Sequence, residues 1–287
     1  MTALRGERDA VVDALRTAGS VFAEEEAEIL RGSAEHPAEL DRMLARRLVG
    51  EPLEHVVGHV RFGGLRLSVG PGVFVPRRRT RRLVAAALHA AREVLSTRAC
   101  ARPPVIVEAF SGVAPVASAV REALPSAEIH AVDSSPVALE HARTNLGPDA
   151  GIQRGDVLQG LPATLRGRVD VVAAVPPYVP DDAIDLLPHE ARDHEPHAAL
   201  LGGPDGLDHV RALVTQAAQW LGPGGVLLVE LHRDQEEPAA EHGRSHGLLP
   251  ERAPCAGLAP DDADDADDDP WSDDEQTVVL VLRAPGA

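Results

Sequence analysis

From residue 104 onward, short runs of β-branched apolar residues alternate with longer stretches at helical spacing. No other feature constrains the fold as much. Val105-Ile106-Val107, Glu128-Ile129-His130-Ala131-Val132-Asp133, a short run near Ile152, the run opening residues 169–180, and residues 226–231 read as strands. Between them, helices are predicted from Pro115 to about Leu124, from Pro136 to about Leu146, and over roughly 206–221. The glycine-rich stretch Gly222-Pro223-Gly224-Gly225 reads as a turn before the strand at 226–231. Strands joined through helices pair in parallel. The prediction is therefore a doubly wound, mainly parallel α/β sheet, with residues 278–282 as a last strand in an antiparallel hairpin.

Residues 169–180 carry the sharpest local signal. The apolar run Val169-Asp170-Val171-Val172-Ala173-Ala174-Val175 reads as a strand buried on both faces. It stops at Pro176-Pro177, which cannot donate to a ladder, so the chain leaves the sheet at the carboxyl end of the strand. Ligands of open parallel sheets bind at that end. Tyr178 follows, the one tyrosine in a chain that is 2% aromatic. A proline-rich exit loop without a function would have the same pattern, so this stretch alone leaves both readings open.

The other strand ends extend the case. Glu108-Ala109-Phe110-Ser111-Gly112-Val113-Ala114-Pro115 joins a strand to a helix, a turn that aims backbone N–H groups at a ligand. Asp133 is placed to bind ribose hydroxyls, or else favours the next helix through its dipole. Asp156 could bind an adenine amino group or serve as a turn aspartate. Each is weak singly. Their order along one sheet points to a nucleoside cofactor.

Residues 1–57 read as a small helical domain. Val11, Leu15, Ala18 and Phe22 fall at helical spacing, as do Leu40, Met43, Leu44 and Leu48. Residues 58–75 form a predicted hairpin around Gly63-Gly64, and 76–287 complete the large domain. Arginines crowd residues 77–82, as a holder for phosphate, carboxylate or a partner, or as a solvated helix start. Three histidines in one loop, His189, His194 and His197, with Glu195, could suggest a metal; no metal is expected. Net charge is −17, and residues 261–275 hold ten acidic and no basic residues, a predicted disordered or solvated loop. The rest is mildly acidic, which makes nucleic acid an unlikely partner. Cys100 and Cys255 have neither disulfide nor metal spacing, which suits a reducing cytoplasm, and no apolar run is long enough to span a bilayer.

Flanking motifs then add a resemblance. Gly50-Glu51-Pro52-Leu53-Glu54-His55-Val56-Val57-Gly58, Phe62 with Leu65, and Val75-Pro76-Arg77 resemble the entry region of the protein-(glutamine-N5) methyltransferases that modify peptide-chain release factors. Glu195-Pro196-His197-Ala198-Ala199-Leu200 and Gly202-Gly203-Pro204-Asp205-Gly206-Leu207-Asp208 are similar to that family's loop after its Asn-Pro-Pro-Tyr motif. The resemblance covers most of residues 50–230. It implies a seven-stranded class I methyltransferase sheet, S-adenosyl-L-methionine as cofactor, a protein substrate of the release-factor type, and substrate recognition by the helical N-terminal domain. Carried over by position, it implies cofactor binding by Glu108, Phe110, Ser111, Gly112, Val113, Ala114, Asp133, Asp156 and Val157. Val175, Pro176, Pro177 and Tyr178 would form the substrate motif.

Two positions depart from the family. Val175 stands where the family has the asparagine that holds the glutamine amide. Phe110 and Ala114 replace two glycines of its Gly-x-Gly-x-Gly loop, and Phe110 could crowd the cofactor or close the pocket. A divergent member with altered or lost catalysis, or with another acceptor, is the alternative reading. A nucleic-acid adenine methylase is a third, because a similar Pro-Pro-Tyr motif holds exocyclic amines.

Overall fold

The computed structural model describes residues 9–97, 102–252 and 276–286. The acidic stretch 261–275, Cys100 and Cys255 lie outside the described residues. The chain opens with α1 (Ala10–Thr17), α2 (Ala23–Ser33), α3 (Pro37–Leu48) and α4 (Leu53–Val57). The spacing from Val11 to Phe22 does not form one helix. Asp9 caps α1 by accepting from Val11 and Val12, and the helix stops before Gly19, whose φ is +97°. Val12, Leu15, Ala23, Ala27, Leu30 and Val56 are buried together. That core is small, and α1 at 8 residues is too short to persist without packing. Buried Glu26 adds a tie by pairing with Arg47 of α3 at 2.7 Å.

β1 (His59–Phe62) and β2 (Leu65–Ser68) pair antiparallel around Gly63-Gly64, as the alternation predicts. Their apolar face packs on Val113 and Ala138. α5 (Arg81–Thr97) then leads into the main sheet. In order come β3 (Val105–Ala109), α6 (Pro115–Ala123), β4 (Glu128–Asp133), α7 (Pro136–Leu146), β5 (Gly151–Arg154) and β6 (Val169–Ala174). After α8 (His189–His194) follow α9 (Asp208–Trp220), β7 (Leu221–His232), α10 (Glu236–Ser245), β8 (Leu249–Glu251) and β9 (Thr277–Arg283).

The seven strands lie in the order β5-β4-β3-β6-β7-β9-β8. β9 alone runs against its neighbours. This is the mostly parallel, doubly wound class I methyltransferase sheet. β3 and β6 are buried at every position, which is why their sequences are apolar runs and not alternations. One face is covered by Leu83, Ala87 and Ala91 of α5 with Val116 and Val120 of α6. The other is covered by Val210, Leu213, Val214 and Ala217 of α9. The stretch 222–225 is not a turn before the strand but part of β7, whose pairing with β6 shifts register between Val169 and Val171. The glycines accommodate that irregularity. Among the described residues no helix is long and apolar enough to cross a membrane.

Candidate active site

The strand order reverses between β3 and β6, so the crevice at their carboxyl ends is the switch point where such sheets bind ligands. Ala109 lies opposite Ala174 in the β3–β6 register. The next residues, Phe110 and Val175, therefore emerge side by side, and the two stretches singled out in the sequence share one edge.

The first stretch keeps a glycine-loop backbone with fewer glycines. Phe110, Gly112 and Ala114 have φ of 50°, 52° and 63°. A side chain in that region costs roughly 1–2 kcal/mol, so holding Phe110 and Ala114 there is a strain that the loop retains. The Gly112 N–H donates to Asp133 Oδ2 at 2.7 Å, and Ser135 N–H donates to Oδ1 at 2.8 Å. Asp133 thus ties the loop to the start of α7. Burial pushes its carboxyl up, and these N–H bonds oppose the shift.

One expectation needs correction. The N–H groups that open α6 are not all turned to a ligand: Val116 and Ala117 donate to Glu108 at 3.2 and 2.7 Å. Glu108 is 4% exposed and supports the loop from beneath. Burial pushes its carboxyl up to about 8. The Phe110 ring turns toward α9 and meets His209 edge-on, 5.5 Å between centroids. Asp156 is exposed, and Val157 is buried with φ 58° at the end of the neighbouring strand.

The second stretch is held on several sides. Val175 is half-buried, and Pro176 and Pro177 are buried. Arg79 Nη2 donates to the Tyr178 hydroxyl at 2.9 Å, while Gln235 Nε2 donates to the Tyr178 carbonyl at 2.9 Å. Val179 and the Leu200–Gly202 segment exchange backbone hydrogen bonds of 3.0 and 2.8 Å. This loop after the motif is clamped from the hairpin side: Glu195 accepts from Val75 N–H at 3.1 Å and from Arg77 at 2.8 Å. Arg47 reaches across to Glu190 of α8 at 2.6 Å. Glu195→Ala would leave Arg77 and the Val75 N–H without this partner, so a loss of about 2 kcal/mol is expected in urea denaturation. A cost near zero would mean the clamp contributes nothing.

Two arginines of the cluster turn inward, while Arg78 is exposed. Arg77 and Arg79 pair with buried carboxylates of the chain itself. Glu195, raised as a metal ligand, is engaged by Arg77, and among the described residues no group of three metal-binding side chains forms. Sequence reading missed Glu230 and Gln235. Glu230 carried a usable signal, an acid at the carboxyl end of a buried strand, the same signal that marked Asp133.

Comparison with known proteins adds relatives. A release factor glutamine methyltransferase of Streptomyces coelicolor is 40% identical over 204 residues, 71% of this chain and 70% of that one. Another from Mycolicibacterium smegmatis is 40% identical over 195 residues, 67% of this chain and 66% of that one. A 4-amino-L-phenylalanine/4-methylamino-L-phenylalanine methyltransferase of Streptomyces pristinaespiralis is 36% identical over 207 residues, 68% of this chain and 70% of that one. Among solved structures, a methyltransferase of Pyrococcus furiosus is similar with a TM-score of 0.48 at 16% identity, over 85% of this chain and 99% of that one. No family model matches the chain.

Proposed function

The chain belongs to the release factor glutamine methyltransferase family, and we propose that it transfers a methyl group from S-adenosyl-L-methionine to a glutamine side-chain amide nitrogen of a peptide-chain release factor or a similar protein. The observation that carries this reading is the emergence of the 110–114 loop and the 175–178 motif from adjacent strand ends at the switch point.

The residues fit the cofactor. The left-handed backbone at 110, 112 and 114 keeps the loop close to the sheet edge, with the half-buried carboxylate of Asp133 beside it. Loop 110–114 would flank the methionine part, Asp133 would take the ribose hydroxyls, and Asp156 with Val157 would line the adenine. Glu108 would act indirectly by holding the loop. S-adenosylmethionine supplies an electrophilic methyl group on sulfur. The protein's contribution is to hold the acceptor nitrogen in line with it, a positioning task. The Pro176 carbonyl would accept one amide N–H. Residues 1–57 would recognise the protein substrate, with 58–75 as connector.

Val175 offers no hydrogen bond to the amide. An unpaired buried N–H costs about 1–3 kcal/mol, or roughly tenfold or more in rate when expressed in the transition state. Val175→Asn should therefore raise kcat/KM on a release factor about tenfold. Calorimetric titration with S-adenosylmethionine comes first, followed by mass spectrometry of the release factor's glutamine-bearing loop. Absence of binding, or binding without a methylated glutamine, would overturn this function.

A further inference from the structure

At the carboxyl end of the sheet, Glu230, Arg79 and Tyr178 form a connected series. Val229 lies opposite Ala174 in the β6–β7 register, so Glu230 follows directly beside Val175. Neighbours across parallel strands share a face. Glu230 and Val175 thus share the α5-covered face, and Arg79 sits just before α5. Glu230 is 1% exposed, and among the described residues Arg79, Thr80 and Arg82 favour its charged form. Its counter-charge is the Arg79 guanidinium, with Nε 3.5 Å away. A buried carboxylate needs such a charge, so Glu230 fixes Arg79. The planar guanidinium then fixes the direction of its other donors, and Nη2 reaches the Tyr178 hydroxyl at 2.9 Å.

A phenol hydroxyl has one proton and two lone pairs, whereas arginine has donors only. Arg79 therefore occupies a lone pair and leaves the Tyr178 proton to be donated elsewhere. Among the described residues no acceptor takes it. The Gln235 bond to the Tyr178 carbonyl anchors the residue at its backbone as well.

We propose that Arg79, anchored by Glu230, orients the Tyr178 hydroxyl to donate a hydrogen bond to the carbonyl oxygen of the acceptor amide. Tyr178 is then a catalytic residue and Arg79 a positioning residue. The inference rests on the glutamine acceptor proposed above and adds a contact to the amide's carbonyl oxygen, while the N–H facing Val175 stays unpaired. With the Pro176 carbonyl taking an N–H, the amide plane is fixed at two points.

The test compares wild type with Tyr178→Phe, Arg79→Gln and Arg79→Lys, using S-adenosylmethionine and a peptide-chain release factor. Tyr178→Phe and Arg79→Gln should each lower kcat/KM about tenfold, with cofactor affinity by calorimetry unchanged. Arg79→Lys, which keeps a donor and the charge, should recover much of the loss. Tyr178 is the only tyrosine, so 3-fluorotyrosine labelling gives a single fluorine NMR resonance. That resonance should move in Arg79→Gln and move again when release factor and S-adenosylhomocysteine are added to the wild type. Turnover that survives Tyr178→Phe and Arg79→Gln within about twofold, or a resonance unmoved by Arg79→Gln, overturns the assignment and leaves the proposed function standing. A wild type that binds cofactor but methylates no glutamine overturns the proposed function, and this assignment with it.

Discussion

Gly206→Ala is expected to destabilise the protein by about 3–5 kcal/mol and to displace the substrate motif. A Cβ at this position would stand 2.2 Å from the Tyr178 carbonyl oxygen and 2.4 Å from Gln235 Nε2. The backbone is also left-handed there, with φ +72°. Both contacts belong to the bond that anchors Tyr178, so the added methyl must break it or push the motif away. Gly247→Ala is the control. Its φ is +78°, yet nothing lies within 4 Å of the new Cβ. It should cost only about 1 kcal/mol, the backbone strain alone. Urea denaturation of the two variants measures the difference. Equal losses would show that steric contact at Gly206 is relieved without consequence. In the labelled protein, Gly206→Ala should also move the Tyr178 resonance, which Gly247→Ala should not.

The second large effect is a dependence of stability on pH through Glu108. Its carboxyl is raised from the ordinary 4.5 to about 8, mainly by burial. Between those values the folded protein keeps a proton that the unfolded chain has released. Stability therefore falls as pH rises across that window, with no contribution below it and the full cost above it. A shift of this size corresponds to roughly 5 kcal/mol, with about 1.4 kcal/mol for each pH unit. Glu108→Gln removes the titration. It keeps one oxygen for Val116 or Ala117 and turns an NH2 toward the other, so it should lose about 1–3 kcal/mol at pH 5. The wild type should decline toward pH 8 more steeply than the variant, and the two stability curves should converge or cross. Asp133, Glu195 and Glu230 are also raised, which makes the difference between the two proteins the proper readout. Parallel profiles would rule Glu108 out as the source.

Much of the site was legible because strand ends write themselves into sequence. A buried parallel strand is mostly an apolar run, and a proline or an acid near its carboxyl end marks where the chain reaches the sheet edge. That placed Glu108, Asp133 and Pro176 at one edge. The same rule applied to β7 would have found Glu230, the last acid of a run that ends at His232. Helix boundaries near Gly19 were less legible, since apolar spacing can continue across a break that the backbone makes. The glycines at 222–225 misled for a related reason. Glycine marks a turn or a bulge equally well, and only pairing with a neighbouring strand decides between them.

Local composition and period therefore determined the buried strands β3, β4 and β6 and the helices α6, α7 and α9, because burial on two faces admits few residue types, but not α10 or β8. They also determined that position 175 has no polar group and that one phenol follows it. The tertiary structure alone decided which partners those residues meet. Val175 lies beside Glu230 through a register between strands more than fifty residues apart, and Arg79 reaches Tyr178 across 99 positions of chain. No local pattern encodes such a meeting, since ion pairs and hydrogen bonds between distant residues depend on where the folded sheet brings their side chains. The Pro176–Tyr178 stretch was visible in the sequence as an exit from the sheet. Its anchoring by Arg79, Gln235 and a glycine that admits no Cβ was visible only in the folded chain.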